Sequence, residues 1–383
     1  MRRREINFGI IGLGLMGREF ASAVARWPHL LTDDPRPVLR GICDVNRESW
    51  PWYMEGFPGI RRATEDYRRL LEDEDIEAVY CAVPHHLHEG IYVDIINAGK
   101  HLLGEKPFGI DREANGRIVA AAEGRKELRV RCNSEFPYFP ACQRLIGWIR
   151  EGRYGELINV RAGFNHSSDM DPTKPVNWKR RVESNGEYGC MGDLGMHVLH
   201  VPLRMGWAPE WVFADLRNIT ERRPDGHGGW AVCDTWDNAV LTCGCRDGAT
   251  GKGFPMVLEM KRMAPGATND WFLEVYGTEG SARFSTSNPR AFYWLESRGR
   301  EQGWTRVDCG SQSAIASITG RIFEFGFPDA FQQMLGAFMN EFSERPEKHP
   351  FRTVTLGETA LSHLVFSAAL ESHRTGRRVE IGR

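Results

Sequence analysis

A chain of 383 residues is long enough for two domains with sizeable cores. With 41% hydrophobic and 26% charged residues it has the composition of an ordinary globular protein, and a formal charge of −2 excludes the basic footprint of a nucleic-acid binder. Nine cysteines without a C-x-x-C spacing argue against a disulfide framework or a zinc ribbon and suit a reducing, cytoplasmic setting.

No apolar run is long enough to cross a membrane, so no membrane partner is expected. Arg2, Arg3 and Arg4 before an apolar run imitate a signal peptide. Gly9, Gly12, Gly14 and Gly17 break that run, and no small-residue cleavage site follows.

Residues 6–11 form an apolar run that predicts a buried parallel strand. The run breaks into Gly12-x-Gly14-x-x-Gly17, and a helical pattern follows over 18–26. Strand, glycine turn and helix in that order are the context that makes this spacing a dinucleotide-binding fingerprint. Gly12 allows the tight turn, Gly14 lets the backbone approach a pyrophosphate, and Gly17 lets helix and strand pack closely. The helix N-terminus offers its unpaired N–H groups and positive dipole end to the phosphates. Leu13, Leu15 and Met16 complete the turn as candidate cofactor contacts.

The strand over 37–44 ends in Asp44, placed to accept hydrogen bonds from the adenosine ribose hydroxyls. Its distance from the glycines exceeds the usual spacing of about 20 residues. Residues 27–36, rich in Pro and Asp, read as an inserted loop that accounts for the excess. A carboxylate here repels a 2′-phosphate and favours NAD, while Arg47 keeps NADP open.

Helix and strand signals then alternate. Residues 64–71 predict a short helix with Thr64 as N-cap, and 78–83 a buried strand ended by Pro84. Residues 86–98 read as a helix stopped at Gly99, and 101–103 as a strand. Asp111 caps a long helix over 112–124, and 129–132 is a further strand. The alternation predicts an α/β fold, a doubly wound parallel sheet of Rossmann type. Val83, Pro84, His85 and His88 sit where a strand meets its helix, the end at which such sheets bind ligands. A metal site built on His85, His86 and His88 lacks a carboxylate or cysteine at fitting spacing. Asn133, just past the last of these strands, joins the candidate cofactor contacts.

Gly104-Glu105-Lys106-Pro107 follows the fifth strand directly. Hydride transfer from an alcohol carbon needs a group that takes the hydroxyl proton. A lysine at a strand end can do this when burial and a cationic cofactor lower its pKa. Pro107 stiffens the turn, and Glu105 is placed to hold the ammonium or to contact the cofactor. Further on, Gly192-Asp193-Leu194-Gly195-Met196-His197 puts Asp193 and His197 four residues apart on one helical face. A carboxylate in that position can orient an imidazole. The pair has no third group to complete a metal site.

The glycine fingerprint, the stretch Ala98-Gly99-Lys100-His101-Leu102-Leu103-Gly104-Glu105-Lys106-Pro107 and the Gly192–His197 motif arrive in one order. In that order the chain resembles the glucose–fructose oxidoreductase / inositol dehydrogenase / MocA family, from about residue 6 to about residue 201. The resemblance implies a nicotinamide-dependent dehydrogenase with a Rossmann domain and a second domain built on a large open sheet. It implies that Lys106, Asp193 and His197 form the substrate-hydroxyl cluster, with His197 or Lys106 as base. It places Trp178 and Lys179 near the cofactor, Lys179 standing where arginine is usual. It makes the open sheet a subunit interface of a homo-oligomer, dimer or tetramer. Two departures bear on the substrate. Glu187-Tyr188-Gly189-Cys190-Met191 replaces a glycine run, and His200 stands about where an aspartate is frequent.

Residues 137–150 are helical in pattern and stop at Gly152. Strand alternation then recurs at 157–164, 211–218, 238–242, 256–260, 271–276 and 281–284. That clustering predicts a mostly antiparallel sheet in an α+β second domain. Residues 329–342 and 356–373 read as amphipathic helices, the last placed to return over the first domain, and 378–381 as a closing strand. The expected division is 1–134 for the dinucleotide-binding domain and 135–383 for substrate binding and oligomerisation. Frequent tryptophans suit stacking on sugar C–H faces as well as core packing. Tyr138, Asn165 and His166 are the substrate-pocket candidates. The expected activity is oxidation of a secondary alcohol of a sugar, glycoside or cyclitol. One alternative is a redox-recycling hydrolase or lyase with retained NAD. The other is a non-catalytic sensor, which has no need of Lys106, Asp193 and His197 together.

Overall fold

The computed structural model describes residues 4–297, 301–310, 313–318, 325–343 and 351–382. The first part alternates β1 (Glu5–Ile11), α1 (Leu15–Ala25), β2 (Arg36–Cys43), α2 (Trp50–Gly56), β3 (Arg62–Thr64), α3 (Tyr67–Leu71), β4 (Ala78–Cys81), α4 (His88–Asn97), β5 (His101–Gly104), α5 (Arg112–Glu123) and β6 (Val130–Cys132). There follow α6 (Pro140–Arg150), β7 (Leu157–His166), α7 (Val182–Asn185), α8 (Cys190–Arg204), β8 (Pro209–Arg217), β9 (Arg222–Pro224), β10 (Trp230–Val232), β11 (Asn238–Arg246), β12 (Gly253–Lys261) and β13 (Asn269–Gly277). The chain continues through β14 (Gly280–Ser285), β15 (Ala291–Glu296), β16 (Thr305–Asp308), α9 (Phe327–Asn340), α10 (Leu356–Thr375) and β17 (Val379–Glu380).

The described residues fall into two compact units. One is drawn from 1–109, 113–138 and 311–356, the other from 110–112, 139–310 and 357–383. The chain therefore crosses between units more often than a single cut at residue 134 would need. Helix α9 belongs to the first unit and α10 to the second.

The first unit holds a six-stranded sheet in the order β3-β2-β1-β4-β5-β6, every neighbouring pair parallel. The apolar run of β1 is explained by burial on both faces, as a parallel sheet covered by helices requires. Ile6, Phe8 and Ile10 are 0% exposed. Phe20 of α1 stacks on Tyr80 of β4 at 4.3 Å, while Phe338 of α9 meets Phe8 edge-on at 6.4 Å. Strand order reverses between β1 and β4, so the loops after these strands open at the switch point where such sheets bind ligands.

The local differences have simple causes. Thr64 closes β3 rather than capping α3. The cap is Asp66, whose carboxylate accepts from Arg68 N–H at 3.0 Å. The segment 27–36 is anchored, with Trp27 1% exposed and Leu30 bridged to Ser317. Helix α2, opened by Trp50-Pro51, and the three-residue β3 are additions to the predicted elements.

The second unit holds a nine-stranded sheet in the order β16-β15-β14-β13-β7-β12-β11-β8-β17. Only β7 and β12 pair in parallel; β8, β11, β13, β14, β15, β16 and β17 pair antiparallel. Ala239, Leu241 and Cys243 of β11 are buried, and Val240 and Thr242 between them face outward. Helix α8 packs on β7 and β12 and is buried from Cys190 to Leu203. Gly195 lets α8 approach α10 closely as well: a Cβ there would lie 2.6 Å from the Phe366 ring. Arg204 at the C-terminal turn of α8 bonds Glu358 of α10 twice, at 2.6 and 2.7 Å.

Candidate active site

In the first unit the glycine turn has the geometry its sequence requires. Gly12 sits at φ +91°, and a Cβ there would meet the Ala82 carbonyl at 2.2 Å. A Cβ on Gly17 would lie 2.3 Å from the Gly12 carbonyl. Nothing lies within 4 Å of the position a Gly14 Cβ would take, so bare backbone faces open space there. Helix α1 starts without a side-chain cap, leaving its first N–H groups for another acceptor. Leu13 is buried, Met16 is half-buried and Leu15 is exposed. Asp44 stands just past β2 and grips the turn: Oδ2 accepts from Leu13 N–H at 2.7 Å, and Oδ1 accepts from Asn46 N–H at 2.8 Å. Tyr53 donates to the Leu13 carbonyl at 3.3 Å. Open backbone at Gly14, an uncapped helix start and a carboxylate at the end of β2 fit a dinucleotide.

After β4, Val83 and Pro84 are half-buried in the loop, while His85 and His88 turn inward. His88 Nε2 lies 3.0 Å from the Val83 carbonyl, and its ring stacks on Tyr92 at 4.7 Å. It is a packed side chain at the start of α4. Among the described residues no group of three or more His, Cys, Asp or Glu side chains is arranged to hold a metal ion.

Lys106 is half-buried directly beyond β5, and its bond to Pro107 is cis. Glu105 is buried at the end of β5. Its Oε1 accepts from the Tyr80 hydroxyl at 2.7 Å and from Asn133 Nδ2 at 2.8 Å. Asn133 is correspondingly a strut under this strand end, 1% exposed. Tyr138, a substrate candidate, is fully buried with its hydroxyl 3.5 Å from the Phe351 carbonyl and belongs to the packing of the first unit.

In the second unit α8 carries Asp193 in its first turn and His197 one turn on. Asp193 is 1% exposed, and a carboxylate so buried needs charged partners. Lys179 Nζ reaches both of its oxygens, at 3.0 and 3.1 Å, and Arg262 Nε lies 3.3 Å from Oδ2. Arg262, itself 0% exposed, is held by the carbonyls of Lys179 and Gly189 and by Asn185 Oδ1. Asn177 caps the turn that carries Trp178 and Lys179, accepting from Lys179 N–H at 3.0 Å. Lys179 Nζ sits 5.7 Å from the Trp178 ring centroid.

His197 is 4% exposed, with its carbonyl accepting from Trp271 Nε1 at 3.0 Å and its ring edge-on to Phe164 at 5.8 Å. His166 lies on the same face of β7 as Phe164, Nδ1 at 2.8 Å from Ser168 Oγ. Burial pushes the His166 imidazole down to about 4, against the pull of the Asp193 charge. Asn165, between these two in β7, faces the other side of the sheet, paired beside Lys261. The structure thus gathers Asp193, His197, Lys179, Trp178 and His166 around α8 and leaves Asn165 out. Arg262 and Glu135 escaped the sequence reading. Arg262 lies 69 residues from the carboxylate it pairs with, beyond the reach of any local spacing.

Comparison with known proteins bears on the family and the fold. The sequence model described as oxidoreductase family, NAD-binding Rossmann fold, matches residues 6–133, and that of the GFO/IDH/MocA C-terminal domain matches residues 142–283. Levoglucosan dehydrogenase of Pseudarthrobacter phenanthrenivorans is 27% identical over 296 residues, covering 74% of each chain. Glucose-6-phosphate 3-dehydrogenase of Bacillus subtilis is 22% identical over 332 residues, covering 86% of each. The solved levoglucosan dehydrogenase in complex with NADH and L-sorbose superposes with a TM-score of 0.85 at 23% identity, over 99% of this chain and 100% of that one. Fingerprint, fold and both domain matches converge: the chain belongs to the Gfo/Idh/MocA family of NAD-binding oxidoreductases.

Proposed function

We propose that this enzyme oxidises a secondary alcohol of a sugar, glycoside or cyclitol, with residues 1–134 serving the cofactor and residues 135–383 the substrate. Bound NAD supplies the hydride acceptor. The chain supplies the rest. The Gly12–Gly17 turn takes the pyrophosphate on backbone N–H groups, and Asp44 takes the ribose hydroxyls. Lys106 or His197 accepts the hydroxyl proton. Asp193 orients the surroundings of His197, and Lys179 and Arg262 hold Asp193 in place. The observation that carries the reading is the buried carboxylate and imidazole one turn apart on α8, with two cations committed to the carboxylate. Relatives named as dehydrogenases of levoglucosan and of glucose 6-phosphate support the substrate class.

The outer face of the nine-stranded sheet presents Phe213 and Val240, 46% and 37% exposed, in support of self-association into a dimer or tetramer there. Nine cysteines without a disulfide agree with a cytoplasmic setting. Among the described residues no helix is long and apolar enough to cross a membrane. The test is a panel of sugars and polyols followed by NADH absorbance, with bound cofactor identified after denaturation. At least one panel member should reduce NAD stoichiometrically. Sugar consumption with no net NADH would replace this reading with the redox-recycling one.

A further inference from the structure

Beneath the strand end that carries Lys106 lies a buried acid pair with no part in the reaction described above. Glu105 is 5% exposed and Glu135 2%. One side-chain amide spans them: Asn133 Nδ2 donates to Glu105 Oε1 at 2.8 Å and reaches Glu135 Oε2 at 3.4 Å. The Tyr80 hydroxyl donates to the same Glu105 oxygen at 2.7 Å. Among the described residues, the charged and titratable groups found to face Glu135 are Glu105 and Lys106 beyond β5, Glu19 of α1 and Tyr80 of β4. From α9, Phe327 packs edge-on to the neighbouring Phe136 ring. Of the four facing groups, Lys106 alone brings positive charge.

We infer that Glu135 is a positioning residue for Lys106: joined to Glu105 through the Asn133 amide, it forms one buried acid pair under the strand end that carries the lysine, and the charge state of that pair governs when the lysine amine is free to take a proton. This rests on the role given to Lys106 above. Two carboxylates in one low-dielectric site do not both ionise readily. Burial, reinforced by the Glu105 charge, pushes Glu135 up to about 8, and burial raises Glu105 as well. The two therefore titrate as a unit. While the pair is singly charged, Lys106 faces one negative charge. When it becomes doubly charged, the ammonium is held more tightly. Replacing Glu135 by glutamine removes the second charge, so Lys106 loses its proton at lower pH.

The test needs no substrate. Competitive labelling of Lys106 by acetic anhydride, quantified on its peptide, follows the amine's titration in the full-length protein. The Lys106 midpoint should fall by about one pH unit in Glu135→Gln and return most of the way in Glu135→Asp. Infrared difference spectra of the wild type should show a carboxylic-acid C=O band at about pH 7 that disappears by about pH 10 and is absent from Glu135→Gln. An unchanged Lys106 midpoint in a folded Glu135→Gln protein overturns the inference. So does a wild type without that band, which settles the matter even where the glutamine variant does not fold. Neither readout depends on turnover. If Lys106→Ala instead keeps near-normal activity while the midpoint shifts as expected, the catalytic reading fails and the acid pair stands.

Discussion

Lys106 and Asp193 are buried to different degrees, and that difference decides what each substitution should do. Lys106 is half-buried at a strand end, while the turn proposed for the phosphates is a separate element between β1 and α1. Lys106→Ala should therefore cost about 10²- to 10⁴-fold in kcat, the usual range for losing an acid–base group, and leave NADH binding near wild type by fluorescence titration. Near-normal kcat would remove Lys106 from the mechanism. Around Asp193 the two cations are unequal. The Lys179 side chain is 38% exposed, whereas that of Arg262 is 0% exposed. Arg262→Met leaves a buried carboxylate short of a partner and should destabilise the second unit by about 3–5 kcal/mol in denaturant titration. Lys179→Met should change stability little, because water reaches the gap, yet lower activity through the misplaced Asp193 charge. Equal stability losses in both variants would mean that Lys179 is as structural as Arg262.

Two glycines of one turn separate folding from binding at the scale of the β1–α1 element. Gly12→Ala strains a residue at φ +91° and drives a Cβ into the Ala82 carbonyl, so it should lower the melting temperature even without cofactor. Gly14→Ala adds a Cβ that meets nothing in the protein. It should melt like the wild type and bind NADH at least about tenfold more weakly, because its Cβ stands in the space left for the pyrophosphate. Normal NADH affinity in Gly14→Ala would move the phosphates off this turn. The elements themselves were legible wherever one physical rule dominated. The unbroken apolar run of β1 follows from burial on both faces, and the alternation along β7, β8 and β11 from burial on one. Strand β3 and helix α2 were not legible, since three residues show no period and a helix opened by Trp50-Pro51 imitates a loop. At the site, the four-residue spacing of Asp193 and His197 was visible because both lie on one helix. The pairing of Asp193 with Arg262 and the turn of Glu105 toward Tyr80 depend on strands distant in sequence. The inward turn of His88 is a packing outcome that its place after a strand does not disclose.

Across the whole molecule, buried titratable groups make stability depend on pH in a different way for each unit. In the first unit His101 is pushed down to about 4 by burial, then by the nearby Arg129 charge. Its Nδ1 accepts from Arg129 N–H at 2.9 Å, a bond that protonation would break. The unfolded chain takes up that proton near 6.5, so the unit loses stability as pH falls from about 6.5 to about 4. Glu135 works in the other direction. Its carboxyl ionises near 4.5 when unfolded and near 8 when folded, so its contribution is full at low pH and disappears as pH rises from about 4.5 to about 8. In the second unit His166 repeats the acid-side behaviour, burial holding it neutral down to about 4. Melting curves of wild type and variants should separate these effects. His101→Asn supplies an oxygen in place of Nδ1 and cannot be protonated, so its melting temperature should gain on the wild type as pH drops from about 7 to about 5. Glu135→Gln should gain on the wild type as pH rises from about 6 to about 8, the opposite slope from the same unit. His166→Asn should gain on the acid side like His101→Asn. Where the two units melt separately, it should move the transition that the first two variants leave in place. A Glu135→Gln protein whose margin over the wild type is flat between about pH 6 and pH 8 would show that this carboxyl is already ionised in the folded chain, against the proton placed on it here.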